Sequence, residues 1–223
     1  LVGTLAVNHT GVGGYVSFND YTDIEIGSVD GVDGVSAYDV TLSAGGTITD
    51  DGENIITAQY PTITEVSSVG DIEAGLTFDA DDVDVNASGN IVLEAVGAEG
   101  VTISASVTGG EGGGIAIYSA TEDVFLYNVS TEDGDILVGV DNNLYANDVS
   151  AGGEGAADGD VILIALGDID VYDVSAGSDL IAIASDSDIT FVNSEGVIGG
   201  GRQHHVRKRL RQRRRSERHL ECD

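Results

Sequence analysis

The stretch GDIDVYDVSAGSDLIAIASDSDIT, residues 167–190, decides the fold. Aliphatic residues alternate with Asp in it, a glycine interrupts the alternation, and the alternation then begins again. With a period of two, Ile169 and Val171 fall on one side of a strand and Asp170 on the other, as expected of a half-buried strand. The stretch therefore predicts short strands separated by tight turns, with one face of each strand in a core.

The same pattern recurs upstream and defines a degenerate repeat. Units that read strand, break, strand, turn begin at Gly89, Gly114, Asp135, Asp160 and Asp179. A unit of about 22 residues cannot bury its apolar face alone, whereas a stack of units can. The sequence therefore predicts an all-β fold, a right-handed parallel β-helix (β-solenoid) of degenerate coils. The first 60 residues fit the repeat only loosely.

The phrases YNVS, NDVS and YDVS favour coils stacked in parallel. They put Val129, Val149 and Val174 at equivalent positions of three units, and we expect these valines to point inward at a corner. An antiparallel β-sandwich is the alternative fold, because it also has short strands at regular intervals. The same order of strands in every unit favours the solenoid.

Composition agrees with a β-rich protein. Glycine accounts for 32 of 223 residues while Met and Trp are absent, a bias toward turn formers and β-branched strand residues. Without Met, we expect the chain to be a processed product or a piece of a longer protein. The only cysteine is Cys222, so no disulfide framework is expected. The longest apolar run, VILIAL at residues 161–166, is too short to span a bilayer.

Charge divides the chain into two regions. All nine Lys and Arg lie at or after Arg202, whereas only three of the 39 acidic residues do. Residues 1–201 therefore carry 36 acidic residues and no Lys or Arg. We predict an acidic solenoid over 1–201 and a basic tail over 202–223 that is disordered or a short helix. The acidic region would repel nucleic acid, and it lacks the cations that bind phosphate, sulfate or acidic sugars.

Aspartates recur at neighbouring strand and turn positions, which makes them candidate metal ligands. In stacked coils such carboxylates lie about 5 Å apart, within the screening length of physiological salt, so something must offset their repulsion. Oxygen clusters without nitrogen or sulfur suit Ca²⁺. The candidate calcium ligands are Asp168, Asp170, Asp173, Asp186 and Asp188.

A solvated acidic face that keeps the rod soluble is the alternative interpretation of these aspartates. The glycine-rich nonapeptide repeat of calcium-binding β-rolls is not matched, because Ala157 stands where that repeat has Asp. Calcium is therefore expected as a cofactor only if the carboxylates converge at one corner.

The sequence signals no catalytic centre. Paired carboxylates such as Asp81 and Asp82 have the chemistry of a glycosidase acid and base, but among 36 acidic residues some pair meets any spacing by chance. The chain has no nucleophile elbow, phosphate loop or zinc-ligand cluster. We expect a protein that is not an enzyme, with a polysaccharide-active β-helix enzyme as an alternative.

Two strands are apolar on both faces. VILIAL and the LIAIA of residues 180–184 leave no polar side to face water. Two-sided burial predicts that a neighbouring segment or subunit of the same protein covers one side of the rod.

The units GDIDVYDVSAG from Gly167 and GNIVLEAV from Gly89 resemble repeats of large secreted bacterial β-helical adhesins, the filamentous-haemagglutinin-like exoproteins. The resemblance covers about residues 70–196. It implies a right-handed β-helix, an extracellular or cell-surface location, and surface glycans or matrix proteins as partners; it supplies no active-site residues. We therefore expect a structural and adhesive segment of a large extracellular repeat protein, with a calcium-dependent cell-surface module as the alternative.

Overall fold

A computed structural model describes residues 3–9, 11–50, 55–58, 63–96, 100–109, 112–120, 123–152, 159–185, 188–191 and 203–207. All elements in these ranges are strands, numbered β1 to β24 in chain order, and they form two large parallel sheets and one small hairpin. The described residues contain no helix that could cross a bilayer.

The first sheet has 13 strands and the second has nine. The strands of the first sheet are β1 (Thr4–Leu5), β2 (Val7–Asn8), β4 (Ile24–Ile26), β7 (Val35–Ala37), β9 (Ile48–Asp50), β10 (Ile55–Ala58), β12 (Ile72–Asp79), β14 (Ile91–Ala95), β16 (Ile115–Ser119), β18 (Ile136–Val140), β20 (Val161–Ala165), β22 (Leu180–Ala184) and β24 (Gln203–Arg207). Those of the second are β3 (Tyr15–Asp20), β8 (Asp39–Ala44), β11 (Ile63–Ser68), β13 (Asp82–Ala87), β15 (Val101–Val107), β17 (Val124–Thr131), β19 (Leu144–Ala151), β21 (Ile169–Ala176) and β23 (Ile189–Phe191).

From β12 to β23 the chain alternates between the two sheets, and each strand pairs in parallel with the equivalent strand of the next coil. In the first sheet, for example, β18 pairs with β20 from Ile136 opposite Val161, and β20 pairs with β22 from Val161 opposite Leu180. These offsets follow the spacing of the repeat in the sequence. The β-solenoid prediction is confirmed, and the antiparallel sandwich is wrong.

The core is a set of aliphatic columns that run along the stack. The first buried residue of successive first-sheet strands forms one column, and the register pairs each member with the next: Ile24, Ile48, Ile72, Ile91, Ile115, Ile136, Val161 and Leu180. Val129, Val149 and Val174 form another, buried and in register on the second sheet, as predicted. Stacking like on like lets every coil fill the space left by its neighbour, which gives close packing from aliphatic side chains. Phe78 is the one aromatic side chain among the buried core residues that the structure describes.

The N-terminal coils are less regular because the chain inserts a hairpin between β4 and β7. Strands β5 (Ser28–Val29) and β6 (Val32–Asp33) pair in antiparallel fashion. Their two-residue connection has positive φ at Asp30 (52°) and Gly31 (82°), the conformation that Asp-Gly adopts in tight hairpins. This insertion explains why the first 60 residues fit the repeat only loosely.

Five residues of the basic region form a strand. Gln203–Arg207 are β24, which pairs in parallel with β22 at the end of the first sheet; the disordered tail or short helix expected over 202–223 stays a prediction. The exposed edge of a last strand attracts any segment that can adopt extended structure. The division of the chain at residue 201 stays a prediction.

Candidate functional site

The turns between strands carry rows of Asp and Asn side chains. We call the turn before each first-sheet strand the first corner, and the turn before each second-sheet strand the second corner. At both corners, Oδ1 of an Asp or Asn accepts a hydrogen bond from the backbone N–H of the equivalent residue in the next coil. We call these bonds the corner rows.

The described bonds of the first corner row join the N–H of Thr47 to Asp23 (2.8 Å), of Asn90 to Asp71 (2.6 Å), of Gly114 to Asn90 (3.0 Å), of Asp160 to Asp135 (2.8 Å) and of Asp179 to Asp160 (2.9 Å). Those of the second join the N–H of Asn143 to Asp123 (3.0 Å), of Asp168 to Asn143 (2.9 Å) and of Asp188 to Asp168 (2.9 Å). Since an amide and a carboxylate both offer Oδ1, Asn replaces Asp in these rows without loss of the bond.

Corner side chains complete the hydrogen bonding of the backbone where the sheet begins. The carbonyl of Asp160 accepts from the N–H of Ile136, at 2.8 Å, and so belongs to the sheet ladder. The N–H of Asp160 instead takes its partner from the side chain of Asp135, at 2.8 Å. A carboxylate at the corner thus replaces a backbone carbonyl, which explains why most units have Asp or Asn just before an aliphatic strand; Thr47 and Gly114 stand at this position in two coils.

A glycine precedes many of these residues because the side chain from the preceding coil lies over it. A Cβ added to Gly46, Gly89 or Gly167 would fall well inside van der Waals contact with Oδ1 of Asp23, Asp71 or Asn143, respectively. The pairs Gly-Asp and Gly-Asn that mark the repeat therefore have a packing reason: the glycine leaves room for the acceptor.

The structure places the predicted calcium ligands in two different environments. Asp168 and Asp188 belong to the second corner row. Asp170 and Asp173 lie on the outward side of β21, and Asp186 lies outside the described residues. Within the part of the chain that the structure describes, no three His, Cys, Asp or Glu side chains form a group that could hold a metal ion. Calcium binding stays a prediction.

A group of aromatic side chains, three of them exposed and one half-buried, was not predicted from the sequence. It lies on the outward side of β17, β19 and β21, and we call it the aromatic face: Phe125, Tyr127, Tyr145 and Tyr172. Phe125 and Tyr145 are register partners on adjacent strands, and their rings stack with centroids 4.5 Å apart and planes 6° from parallel. The exposed fractions are 41% for Phe125, 57% for Tyr127 and 36% for Tyr172.

A shared irregularity of the three strands creates this face. From β17 on, the second-sheet strands have two consecutive outward residues where a regular strand has one, namely Tyr127–Asn128, Asn147–Asp148 and Tyr172–Asp173. The register shifts between β15 and β17 accordingly, as at a β-bulge. Tyr127 and Tyr172 therefore occupy equivalent positions two strands apart, about 10 Å along the stack.

Desolvation by the surrounding protein raises the pKa of the Tyr145 phenol above its ordinary value, and the charges of Asp123, Asp170 and Asp168 and the neighbouring Tyr172 add to this rise. The neutral phenol is favoured because both burial and nearby carboxylates penalise its anion. Carboxylates thus lie close to the rings of the aromatic face.

Outward aliphatic residues on the first sheet correspond to the two-sided apolar runs. Ile162 and Ile164 of β20 and Ile181 and Ile183 of β22 face away from the core and are half-buried. The prediction that a neighbouring segment or subunit covers them stays a prediction.

Comparison with known proteins gives no match: no family model, no curated protein and no solved structure matches the chain. Functional conclusions therefore rest on the corner rows and the aromatic face.

Proposed function

We propose that the chain is a structural segment of a larger extracellular repeat protein, similar to the filamentous-haemagglutinin-like exoproteins, and that it serves surface attachment or matrix assembly. The observation that carries the proposal is the continuity of the stack. Strand pairs, core columns and corner rows link each coil to the next, as in quasi-one-dimensional repeat proteins that present extended surfaces.

The distribution of polar groups supports a structural role for six of the aspartates. Together with two Asn side chains, they act as hydrogen-bond acceptors between coils in the corner rows. Small polar residues also form outward rows on the second sheet, as expected of a surface that meets water or a partner. Ser106 and Ser130 are register partners. Ser150 and Ser175 are register partners too, and their hydroxyl oxygens lie 2.9 Å apart. Such a surface suits contact with a partner over its length and needs no catalytic cleft.

Retention under flow tests the attachment role. Beads that carry the full chain are passed at rising shear over collagen, dextran and heparin, with albumin as the baseline. We expect retention above the albumin level on collagen or dextran, and less on heparin because residues 1–201 carry 36 acidic residues and no Lys or Arg. Retention at the albumin level on every coating would contradict the proposal.

A matched variant shows whether the folded stack is required. Ile115→Asp puts a charge into a column position that is 2% exposed, so we expect it to destabilise the stack strongly while it leaves the rest of the sequence unchanged. Beads that carry this variant should be released at the shear that releases albumin-coated controls. Equal retention of the variant would mean that composition alone, and not the solenoid, causes attachment.

A further inference from the structure

The aromatic face combines exposed rings with carboxylates that have no internal cation. Asp148 and Asp173 are register partners on β19 and β21, and both are exposed. Asp170 is the register partner of Tyr145. Adjacent strands lie about 4.8 Å apart, so these carboxylates crowd one another and the rings. Since residues 1–201 contain no Lys or Arg, the cations that balance this face must come from elsewhere.

We propose that the aromatic face binds an arginine- and lysine-rich polypeptide segment of a partner protein. This inference rests on the attachment role proposed above and adds to it the chemistry of the partner. Guanidinium groups stack on the faces of Tyr and Phe rings and pair with carboxylates through two parallel hydrogen bonds. Both groups that this chemistry requires lie together on β17, β19 and β21.

The arrangement of the face favours extended basic peptide over other ligands. Tyr127 and Tyr172 lie about 10 Å apart along the stack, with Asn147 at the equivalent position between them. Side chains on the same face of an extended peptide lie about 7 Å apart, and the long, flexible side chains of Arg and Lys can cover the remaining distance of about 3 Å between the two rings. A neutral sugar would use the rings but leave the paired carboxylates Asp148 and Asp173 unbalanced, and an acidic partner would be repelled.

Titration with a peptide of nine arginines tests the proposal, with peptides of nine lysines and nine glutamines for comparison. The full chain is compared with the Tyr127→Ser/Tyr172→Ser variant. The matched control is Tyr15→Ser/Tyr21→Ser, which removes two rings that are 72% and 93% exposed, far from the aromatic face, and leaves the charge unchanged. All three proteins are also measured with Arg213→Gln, Arg214→Gln and Arg215→Gln, which remove three of the chain's eight arginines and so reduce competition from its own basic region.

We expect the arginine peptide to bind the full chain and the control variant equally. It should bind Tyr127→Ser/Tyr172→Ser about tenfold more weakly, because this variant lacks two exposed cation–π contacts. The lysine peptide should bind more weakly than the arginine peptide, and the glutamine peptide not at all. A second variant, Asp148→Asn/Asp173→Asn, keeps the rings and should reduce both affinity and its dependence on salt.

Each of the following results would overturn the proposal. If all variants bind the arginine peptide equally, the peptide senses only the overall negative charge. If cellohexaose binds the full chain and binds Tyr127→Ser/Tyr172→Ser more weakly, while the arginine peptide binds neither protein, the face is a site for neutral glycans. If beads are retained under flow but the arginine peptide does not bind, this inference alone is overturned. If neither bead retention nor peptide binding is observed, the attachment role is overturned as well. Unchanged thermal midpoints of the variants show that the outward substitutions leave the fold intact.

Discussion

Oδ1 of Asp160 lies 2.9 Å from the backbone nitrogen of Asp179, its counterpart in the next coil, and accepts a hydrogen bond from it. The carboxylate is used as an acceptor between coils, and its negative charge is incidental to that bond. This relationship separates two roles of the acidic residues that composition alone cannot distinguish.

Substitutions at Asp160 test the acceptor role. Asp160→Ala removes the acceptor and should lower the free energy of unfolding by about 1 kcal/mol. Asp160→Asn keeps Oδ1, as Asn90 and Asn143 do in the same rows, and should be neutral or stabilising because it also removes charge. Urea denaturation of both variants measures the difference. Asp173→Ala on the outward face is the control, and a loss as large there would contradict the assignment.

Gly89→Ala should destabilise the fold, because its Cβ would collide with Oδ1 of Asp71 and displace it from the N–H of Asn90. We expect a loss of about 1–3 kcal/mol in the free energy of unfolding. Gly139→Ala is the matched control, since a Cβ there would lie 3.5 Å from the Tyr118 ring, in ordinary contact. If both variants unfold at the same urea concentration, the glycine before a corner residue has no packing role.

Ser119 and Thr131 offer a matched pair of buried hydroxyls. The Ser119 Oγ is buried without a hydrogen-bond partner among the described residues, whereas the Thr131 hydroxyl donates to the carbonyl of Gly134 at 2.5 Å. Ser119→Ala should therefore be neutral or stabilising by about 1 kcal/mol, and Thr131→Val destabilising by about 1–2 kcal/mol. In thermal and urea unfolding, Thr131→Val should be less stable than the unmodified chain and Ser119→Ala should not; destabilisation of both variants would refute this account.

High pH should destabilise the protein through Tyr145. Because the folded state raises the pKa of this phenol, it contributes stability that is complete below about pH 10, the unfolded value, and is lost as the pH rises through the folded value. Tyr145→Phe cannot ionise, so its free energy of unfolding should fall less between pH 10 and 12 than that of the unmodified chain. Absorbance titration at 295 nm should show a late-ionising component that disappears in the variant. Superimposable stability curves would contradict the assignment.

Salt should stabilise the chain by screening. We expect the thermal midpoint to rise equally in CaCl₂ and MgCl₂ at the same molarity, and similarly in NaCl of matched ionic strength, since carboxylates at neighbouring positions repel one another. A rise specific to Ca²⁺ over Mg²⁺ would support the calcium-dependent module instead, because a ligand that binds the folded state stabilises it.

The coil pattern could be predicted from the sequence because the alternation of apolar and polar residues within a strand shows which of its side chains are buried. Alternation in residues 167–190 gave the strand faces, and the recurrence of valine at 129, 149 and 174 gave the register. The hairpin of β5 and β6 was not predicted, although Asp30–Gly31 between short aliphatic stretches is a recognisable turn signal. An insertion inside a coil interrupts the period and hides the coil around it.

The functions of the surface residues were harder to predict because they depend on neighbours in other coils. The sequence showed that aspartates recur, but their role as acceptors requires the register that places Asp160 beside the N–H of Asp179. The aromatic face depends on the bulge, for which one signal was present: Leu126 and Val129 are both buried and are three residues apart. Alternation with a period of two would place only one residue between them.

The corner rows also have a direction. In every described bond of both rows, the donor is the later residue in the chain and the acceptor side chain belongs to the earlier coil. The Oδ1 atoms of a folded coil can therefore accept hydrogen bonds from the backbone of the coil that follows it in the chain, but not from the coil before it. This direction suits vectorial growth, in which coils are added one at a time from the N-terminal side as the chain emerges.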